Sequence, residues 1–366
     1  MLSESYPTIR NILRFLALPY CYLKLVNWNE CSASKYQVFK DLLYIFFRLR
    51  YFPDNYSPCR LWEKERTLWH FYYGSSYHPY QRAKLRKEVQ PFEYISLFDD
   101  KEVCELVSRG IGVKLPAYYG VVTPEMDYRT KIIDTLNANP GKKVIIKPVK
   151  GSAGKGIALA YKNKNEIRVK IGKTEVDVSQ FRLMERSILQ EVVLQDKIVA
   201  KFSSSSVNTI RVVTLLNKAG QAILVSASMR FGVGKAYVDN WSAGGVAVGV
   251  DYKNGSLKNI AYNKKGNQYT VHPVSNVIFN GFQIPKWSEV VEMALDVQEK
   301  CSFFRMLGLD IAVTCDGPVL IEINPNPDLI FQEQTGGPLL EDRQILMEFD
   351  RYDLLINKYQ RNLLRK

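Results

Sequence analysis

Residues 308–328 read GLDIAVTCDGPVLIEINPNPD. Two apolar runs, Ile311–Thr314 and Val319–Ile323, flank Cys315-Asp316-Gly317, a short loop with glycine where the left-handed conformation is needed. A hairpin symmetric about residue 316 pairs Asp310 with Glu322. The two-residue period of a strand then puts Asn324 on the same face as Glu322. Two carboxylates and an amide would project together from apolar strands, and like charges so opposed are destabilising unless neutralised. Mg²⁺, a hard cation held by one or two carboxylates together with nucleotide phosphates, supplies that neutralisation. The alternative is a hairpin displaced by one residue, with the acids facing solvent.

Upstream, residues 144–160 read VIIKPVKGSAGKGIALA. A strand ends on Lys147, a loop carries Gly151, Ser152, Gly154, Lys155 and Gly156, and a second strand leaves it. Glycines let backbone N–H groups turn toward phosphate oxygens at close range. The spacing is not that of a Walker loop, and a strand rather than a helix follows. The dinucleotide fingerprint is absent, as are the HRD and DFG sequences of protein kinases. What fits is a nucleotide lid, with Lys147 balancing phosphate charge; the alternative is a surface hairpin with an exposed lysine.

A third cluster lies between these two. SSSSVNTIRVVTLL (203–216) places Asn208 and Arg211 at the entrance to a strand, and Arg230 ends another strand before Phe231-Gly232. VDNWSAGGVAVGVD (238–251) gives a glycine-hinged loop with Asn240, Ser242, Gly244 and Gly245. Arginines entering buried strands often pair with structural acids. Beside an anionic intermediate, their planar fork matches carboxylate or phosphate.

The whole chain has 366 residues, 46% hydrophobic and 24% charged, which suggests about two to three folded units. Further Val/Ile runs at Val144–Ile146, Ile157–Ala160, Ile188–Val193, Ile210–Leu216 and Ile223–Ser226 alternate with helical signal at Trp287–Leu307 and Leu339–Leu364. Asp99 or Asp100 can cap a helix running to Arg109. Interspersed strands and helices argue for an α+β or α/β body.

The net charge of +13 speaks to partners: nucleic acid, a membrane surface or an acidic substrate. No nucleic-acid motif accompanies it. Residues 1–90 hold 14 Lys and Arg against 7 Asp and Glu, and 20 of the 44 aromatic residues. Tyr36, Phe39, Leu43, Phe46 and Arg50 fall near a 3.6-residue period, and another helix is expected around Leu61–Tyr73. Either these aromatics form the core of a helical cap, or the surface docks an acidic or lipid-linked partner. Six cysteines without a C-x-x-C pair, and three histidines, argue against a structural zinc. No signal peptide is visible, and the apolar run Leu42–Phe47 falls far short of the ~20 residues of a membrane span. A cytoplasmic chain with reduced thiols is expected.

Taken in order, Lys147, the GSAGKG lid, Gln190-Glu191, Asn208-Thr209-Ile210-Arg211, the DNWSAGG loop, Asp310 and Glu322-Ile323-Asn324 resemble the ATP-grasp superfamily. NTIRVVT, SAGGVAVGVD and GPVLIEIN are similar to its sugar-transfer-associated group, and the resemblance covers roughly residues 92–340. Lys101, in FDDKEVCELVSRGIGVKLPAYYG, is similar to the lysine that opens the nucleotide site.

The resemblance implies an α+β fold in which two subdomains clasp ATP within residues 91–366. The lid subdomain would span about 141–205, the metal and substrate subdomain about 206–340, and a C-terminal helix about 341–366; a helical region, 1–90, precedes them. Lys101 and Lys147 would bind ATP phosphates under the Gly151–Gly156 lid. Glu191 and the backbone of Val192 and Val193 would receive adenine, and Asp196 the ribose. Asp310, Glu322 and Asn324 would hold two Mg²⁺ ions. Arg211 and Arg230, with Asn208, would steady an acyl phosphate and the carboxylate, with Asn240, Ser242, Gly244 and Gly245 at the substrate. The implied activity is an ATP-dependent carboxylate–amine ligase of surface-polysaccharide biosynthesis, its partners a small-molecule or glycan carboxylate and an amine. Peripheral association with membrane-bound glycan assembly, at the inner face of the membrane, is expected. The other readings are a phosphotransferase that phosphorylates a sugar or an enzyme histidine, His272 being the one histidine in the body of the chain though such residues are more often structural, and a non-catalytic module that recognises glycan or nucleic acid.

Overall fold

The computed structural model describes residues 7–74, 79–151, 154–164, 166–203, 206–234, 241 and 244–365. The N-terminal region opens with α1 (Pro7–Tyr20), continued by a π turn over Cys21–Leu25. Next comes α2 (Lys35–Tyr44), capped by Ser34, whose Oγ accepts from the Gln37 amide at 3.2 Å. A second π turn over Ile45–Leu49 extends it. Where a helix was expected around Leu61–Tyr73 there are only two 3₁₀ turns, Leu61–Glu63 and Leu68–Phe71. Arg60 enters the segment left-handed (φ 48°), and the Trp69 indole donates to the carbonyls of Leu61 and Lys64. Those carbonyls are thereby bonded to a side chain.

The core of this region contains Val38, Leu42, Ile45, Leu49, Tyr51, Tyr56, Trp69 and Tyr72. The expected stripe is on the other side: Tyr36 is 68% and Phe39 52% exposed. Asp41, on the inner side, is buried, yet it accepts from Gln37 Nε2, Tyr56 Oη and Arg66 Nη2 at 2.7–2.8 Å, as a buried carboxylate must.

Three short helices lead onward: α3 (Pro79–Glu88), α4 (Ser96–Asp99) and α5 (Lys101–Gly110). Asp100 caps α5 by accepting from the amides of Glu102 and Val103, both at 3.1 Å. An antiparallel six-stranded sheet follows, made of β1 (Tyr118–Val122), β2 (Val144–Pro148), β3 (Ala158–Asn163), β4 (Glu166–Ile171), β5 (Thr174–Asp177) and β6 (Ser187–Glu191). Its order is β1-β6-β2-β3-β4-β5, and α6 (Tyr128–Ala138) packs on it. The sheet thus recruits a strand well before residue 141.

The second sheet has seven strands: β7 (Thr209–Leu216), β8 (Ala222–Phe231), β9 (Val246–Asp251), β10 (Ser256–Asn263), β11 (Gln268–Tyr269), β12 (Met306–Thr314) and β13 (Gly317–Asn324). Their order is β11-β10-β9-β8-β7-β12-β13. The helix expected over Trp287–Leu307 stops early, as α7 (Trp287–Lys300), because Met306 already begins β12, buried along its whole length. After α8 (Leu329–Gly336), the single C-terminal helix expected is two, α9 (Arg343–Arg351) and α10 (Lys358–Leu363). Asp353 turns left-handed between them (φ 50°), Leu354 and Leu355 insert into the core, and Asn357 caps the second.

The β12–β13 hairpin pairs Asp310 with Glu322, but not by symmetry about residue 316. Thr314 opposes Gly317 across a two-residue turn, and the register shifts by one between Ile311↔Leu320 and Asp310↔Glu322. Ile321 is the extra residue of a β-bulge, and the bulge restores the pairing.

Two predictions concern stability. A Cβ on Gly249 of β9 would lie 2.4 Å from the Thr335 carbonyl oxygen of α8. Gly249→Ala should therefore cost about 1–3 kcal/mol, the range for overpacking, read as a lower urea midpoint. Glu333 of α8 is buried, accepting from the amides of Tyr73 (2.5 Å) and Leu339 (3.3 Å), and burial pushes its pKa up to about 8 from an ordinary 4.5. Folding then favours the protonated form. That stability is complete below about pH 4.5 and is lost as pH rises through about 8. The urea midpoint should fall between about pH 4.5 and 8 and level off above that, and Glu333→Gln should flatten the decline.

Candidate active site

A cleft of about 930 Å³ opens between the two sheets. Lys147, on β2, donates to Gln190 Oε1 of β6 at 2.9 Å. Gln190 donates to Glu105 of α5 at 2.7 Å, and Arg109 pairs with the same carboxylate at 2.6 Å. Burial holds the Lys147 ammonium below its ordinary pKa, against the attraction of Glu322. No carboxylate forms an ion pair with it among the described residues. Lys101, the first residue of α5, donates to the Gly151 carbonyl at 2.7 Å and stands 3.6 Å from Glu322. The lid's first glycine is so tied to a helix start.

On the second sheet, Asp310 faces Arg211 across β7–β12. Arg211 forks onto both carboxylate oxygens, Nε to Oδ1 and Nη2 to Oδ2, the latter at 3.0 Å. Arg230 adds a bond to Oδ2 at 2.8 Å and also donates to the Thr209 hydroxyl. Burial works against ionisation of Asp310, but the two guanidiniums outweigh it and keep the carboxyl below its ordinary pKa. Arg211, Arg230 and Asp310 all line the cleft.

Whether these residues fit Mg²⁺ depends on which oxygens are free. Both Asp310 oxygens accept from arginines. Glu322 is more open, its side chain 36% exposed, and Asn324, on the same cleft wall, makes no side-chain hydrogen bond among the described residues, so its amide oxygen is uncommitted. Among the described residues, no group of three or more His, Cys, Asp or Glu converges on a metal site. One carboxylate, one uncommitted amide and nucleotide phosphates nevertheless suit a hard cation. Glu322 and Asn324 fit; Asp310 serves the arginines.

Other expected residues divide. Glu191, paired with Lys142, lines the same cleft as Val192, Val193, Gly151, Gly154 and Lys155. Gly156 is left-handed (φ 72°) and packs on Pro148. Asp196 is off the wall, its carboxylate accepting from the Ile198 amide at 2.7 Å. Asn208 is fully buried and braces residues 195–203 through Gln195, Val199 and Ser203. It has no line to a reacting group. Gly244 and Gly245 also lie off the wall; Ser152, Asn240 and Ser242 fall outside the described residues.

His272 is buried away from the cleft. Its Nε2 lies 3.1 Å from the Gly232 carbonyl, and Nδ1 meets the Ser275 amide and hydroxyl. Both ring nitrogens are engaged, so it is no phosphate acceptor in this fold. Gln190, named from sequence only as the neighbour of Glu191, and Glu105, not singled out at all because it carries no motif of its own, position Lys147. Trp241, Lys264 and Phe331 also reach the cleft.

A second cavity of about 790 Å³ shares Trp241, Lys264 and Asp328 with the cleft. Its far wall comes from the N-terminal region, including Lys24, Asn27, Trp28 and Asn29. Asn27 Nδ2 donates to the Lys265 carbonyl at 2.6 Å, fastening that wall to the β10–β11 hairpin. The buried Asn326 Oδ1 is on the same wall and lacks a partner among the described residues.

Over residues 80–348 the sequence matches the family described as sugar-transfer associated ATP-grasp. The chain belongs to that family. This ATP-grasp chain also resembles solved structures at a distance. The D-alanyl-alanine synthetase A of Vibrio cholerae is 11% identical, with TM-score 0.42, over 74% of this chain and 66% of that one. N5-carboxyaminoimidazole ribonucleotide synthetase from Thermotoga maritima is 14% identical, with TM-score 0.38, over 72% and 59%. The ATP-grasp ligase PsnB, bound to its minimal precursor, Mg and ADP, is 13% identical, with TM-score 0.38, over 72% and 62%. The chain thus spans about half to two thirds of the length of the solved structures it matches, 52% of one N5-carboxyaminoimidazole ribonucleotide synthetase. No functionally curated protein matches the sequence. The first 79 residues, with the wall of the second cavity, lie outside the family match.

Proposed function

We propose that the protein is an ADP-forming carboxylate–amine ligase that acts on a sugar or glycan, for example a uronic acid joined to an amino acid, in surface-polysaccharide biosynthesis. The observation that carries this reading is Lys147: an ammonium in the cleft whose partner is a neutral amide, with Lys101 lining the same cleft. Such a site stays electrostatically incomplete until anions enter. ATP phosphates fit beside Lys147 and Lys101, and a carboxylate fits beside Arg211 and Arg230.

A substrate carboxylate oxygen would then attack the γ-phosphorus of ATP, and ADP would leave with the bridging oxygen. An amine would next attack the acyl carbon, lose a proton and expel inorganic phosphate. Positioning and charge neutralisation are enough for both steps, without a protein nucleophile. The chain's lysines and arginines hold the reactants, and the loop around Gly151–Gly156 excludes water that would hydrolyse the acyl phosphate. When bound through Glu322 and Asn324, Mg²⁺ supplies neutralisation of phosphate charge. The second cavity, with tryptophans, amides and lysines on its wall, suits the remainder of a hydroxylated, anionic acceptor.

The test is turnover with ATP, Mg²⁺ and a panel of uronic acids and amino acids. Carboxylate-dependent ADP release supports the ligase. Release of AMP and pyrophosphate, or a stable phosphorylated product, overturns it.

A further inference from the structure

Helix α1 and the π turn after it are apolar on both sides. Leu18, Cys21 and Val26 pack into the N-terminal core. On the outer side, Ile12, Leu13, Leu16, Tyr20 and Leu23 are 58–65% exposed. Phe15 lies 6.0 Å from the Phe46 ring and 5.9 Å from that of Phe47. This joins the face to the outward stripe of α2, Tyr36 and Phe39. Helices apolar all round belong in cores or membranes, and an exposed patch of this kind marks an interaction site.

Apart from Glu30, which pairs with Arg60 at 3.3 Å, the exposed charges carried by residues 5–50 have one sign. Residues 5–29 contain no Asp or Glu. Over residues 31–50 the one carboxylate is Asp41, which is buried and bonded to Arg66, Tyr56 and Gln37. Lys24, Lys35, Lys40, Arg48 and Arg50 are all exposed. No helix among the described residues is long and apolar enough to cross a membrane.

We propose that this face docks on an anionic lipid bilayer, with the side chains of α1 and the Phe46–Phe47 pair entering the interface and the cations meeting headgroups. Interfacial helices bind by that pairing of apolar insertion and electrostatic attraction, and aromatic side chains favour the same depth. A second copy of the chain is the poorer occupant, because a self-complementary contact would bring like-charged rims together. The docked face adjoins the second cavity, since Lys24 on its wall follows Leu23. Docking itself requires no particular chemistry in the cleft.

The test is flotation of the full chain with vesicles of phosphatidylglycerol and phosphatidylcholine, against vesicles of phosphatidylcholine alone. Binding should be confined to the anionic vesicles and fall with added salt. Leu16→Glu combined with Leu23→Glu should reduce it at least about tenfold, with the urea midpoint unchanged. Lys35→Glu combined with Lys40→Glu should weaken it through charge alone. Absence of flotation, or flotation that these variants leave intact, overturns the proposal. So does a dimer in sedimentation that the Leu16/Leu23 variant dissolves, which would assign the face to a second copy.

Discussion

Lys147→Met should lower ATP turnover by about 10²–10³-fold, the scale for losing one preorganised charge-stabilising donor, while leaving the fold as stable as before or more so. The second half of that expectation separates binding from structure. Lys147 is held below its ordinary pKa by burial, and its Nζ meets an amide oxygen rather than a carboxylate. A partly desolvated charge without a counter-ion costs folding free energy, so an isosteric apolar side chain removes a cost. The readouts are ADP release and the urea midpoint, taken together. Loss of turnover with an unchanged or raised midpoint assigns the ammonium to a ligand. A lowered midpoint would make it a structural ion, and normal turnover would take it out of the site.

Asp310→Ala should behave in the opposite way, with loss of stability as well as turnover. The carboxylate is 4% exposed and holds two guanidiniums that are 12% and 14% exposed. Removing one member of a buried ion cluster leaves the others uncompensated, at a cost of about 3–5 kcal/mol. Here Arg211 and Arg230, on neighbouring strands, would lose the acid they share. Glu322→Gln is the matched control: its side chain is 36% exposed and its charged neighbour, Lys101, is 3.6 Å away. It should lose ATP turnover at nearly constant urea midpoint. If both variants keep the wild-type midpoint, the Arg211–Asp310–Arg230 cluster is not holding the sheet together.

These expectations show what was legible beforehand. Residue chemistry was readable in combination: lysine before a glycine loop, arginines on strands and acids on apolar strands are each ambiguous alone, but their order along one chain is specific. Partnerships were less readable. That Asp310 serves Arg211 and Arg230 depends on β7 lying beside β12 and β8 beside β7, an order set far away in sequence. The Lys147–Gln190 contact spans 43 residues, and nothing local announces it.

Periodicity had a different weakness. In α2 the stripe Tyr36, Phe39, Leu43 and Phe46 has helical spacing, but so does Val38, Leu42, Ile45 and Leu49. A helix apolar on two sides satisfies the pattern twice, and only tertiary packing decides which side faces inward. Likewise, the bulge at Ile321 lies within Val319-Leu320-Ile321, where three apolar residues in a row hide any change of phase.

That bulge also separates the tip of the hairpin from its working end. Since the one-residue shift lies between the turn and the Asp310–Glu322 pair, the turn does not alone dictate how the acids are presented. The tip is held by its own atoms, the Thr314 hydroxyl donating to the Gly317 carbonyl and accepting from the Asp316 amide, and by Lys114, which donates to the Asp316 carbonyl at 2.6 Å. Cys315 there is exposed, whereas the other five thiols are buried or half-buried. A fluorophore attached to Cys315, or a peptide spliced in at Cys315-Asp316, would occupy a handle mechanically insulated from the acids.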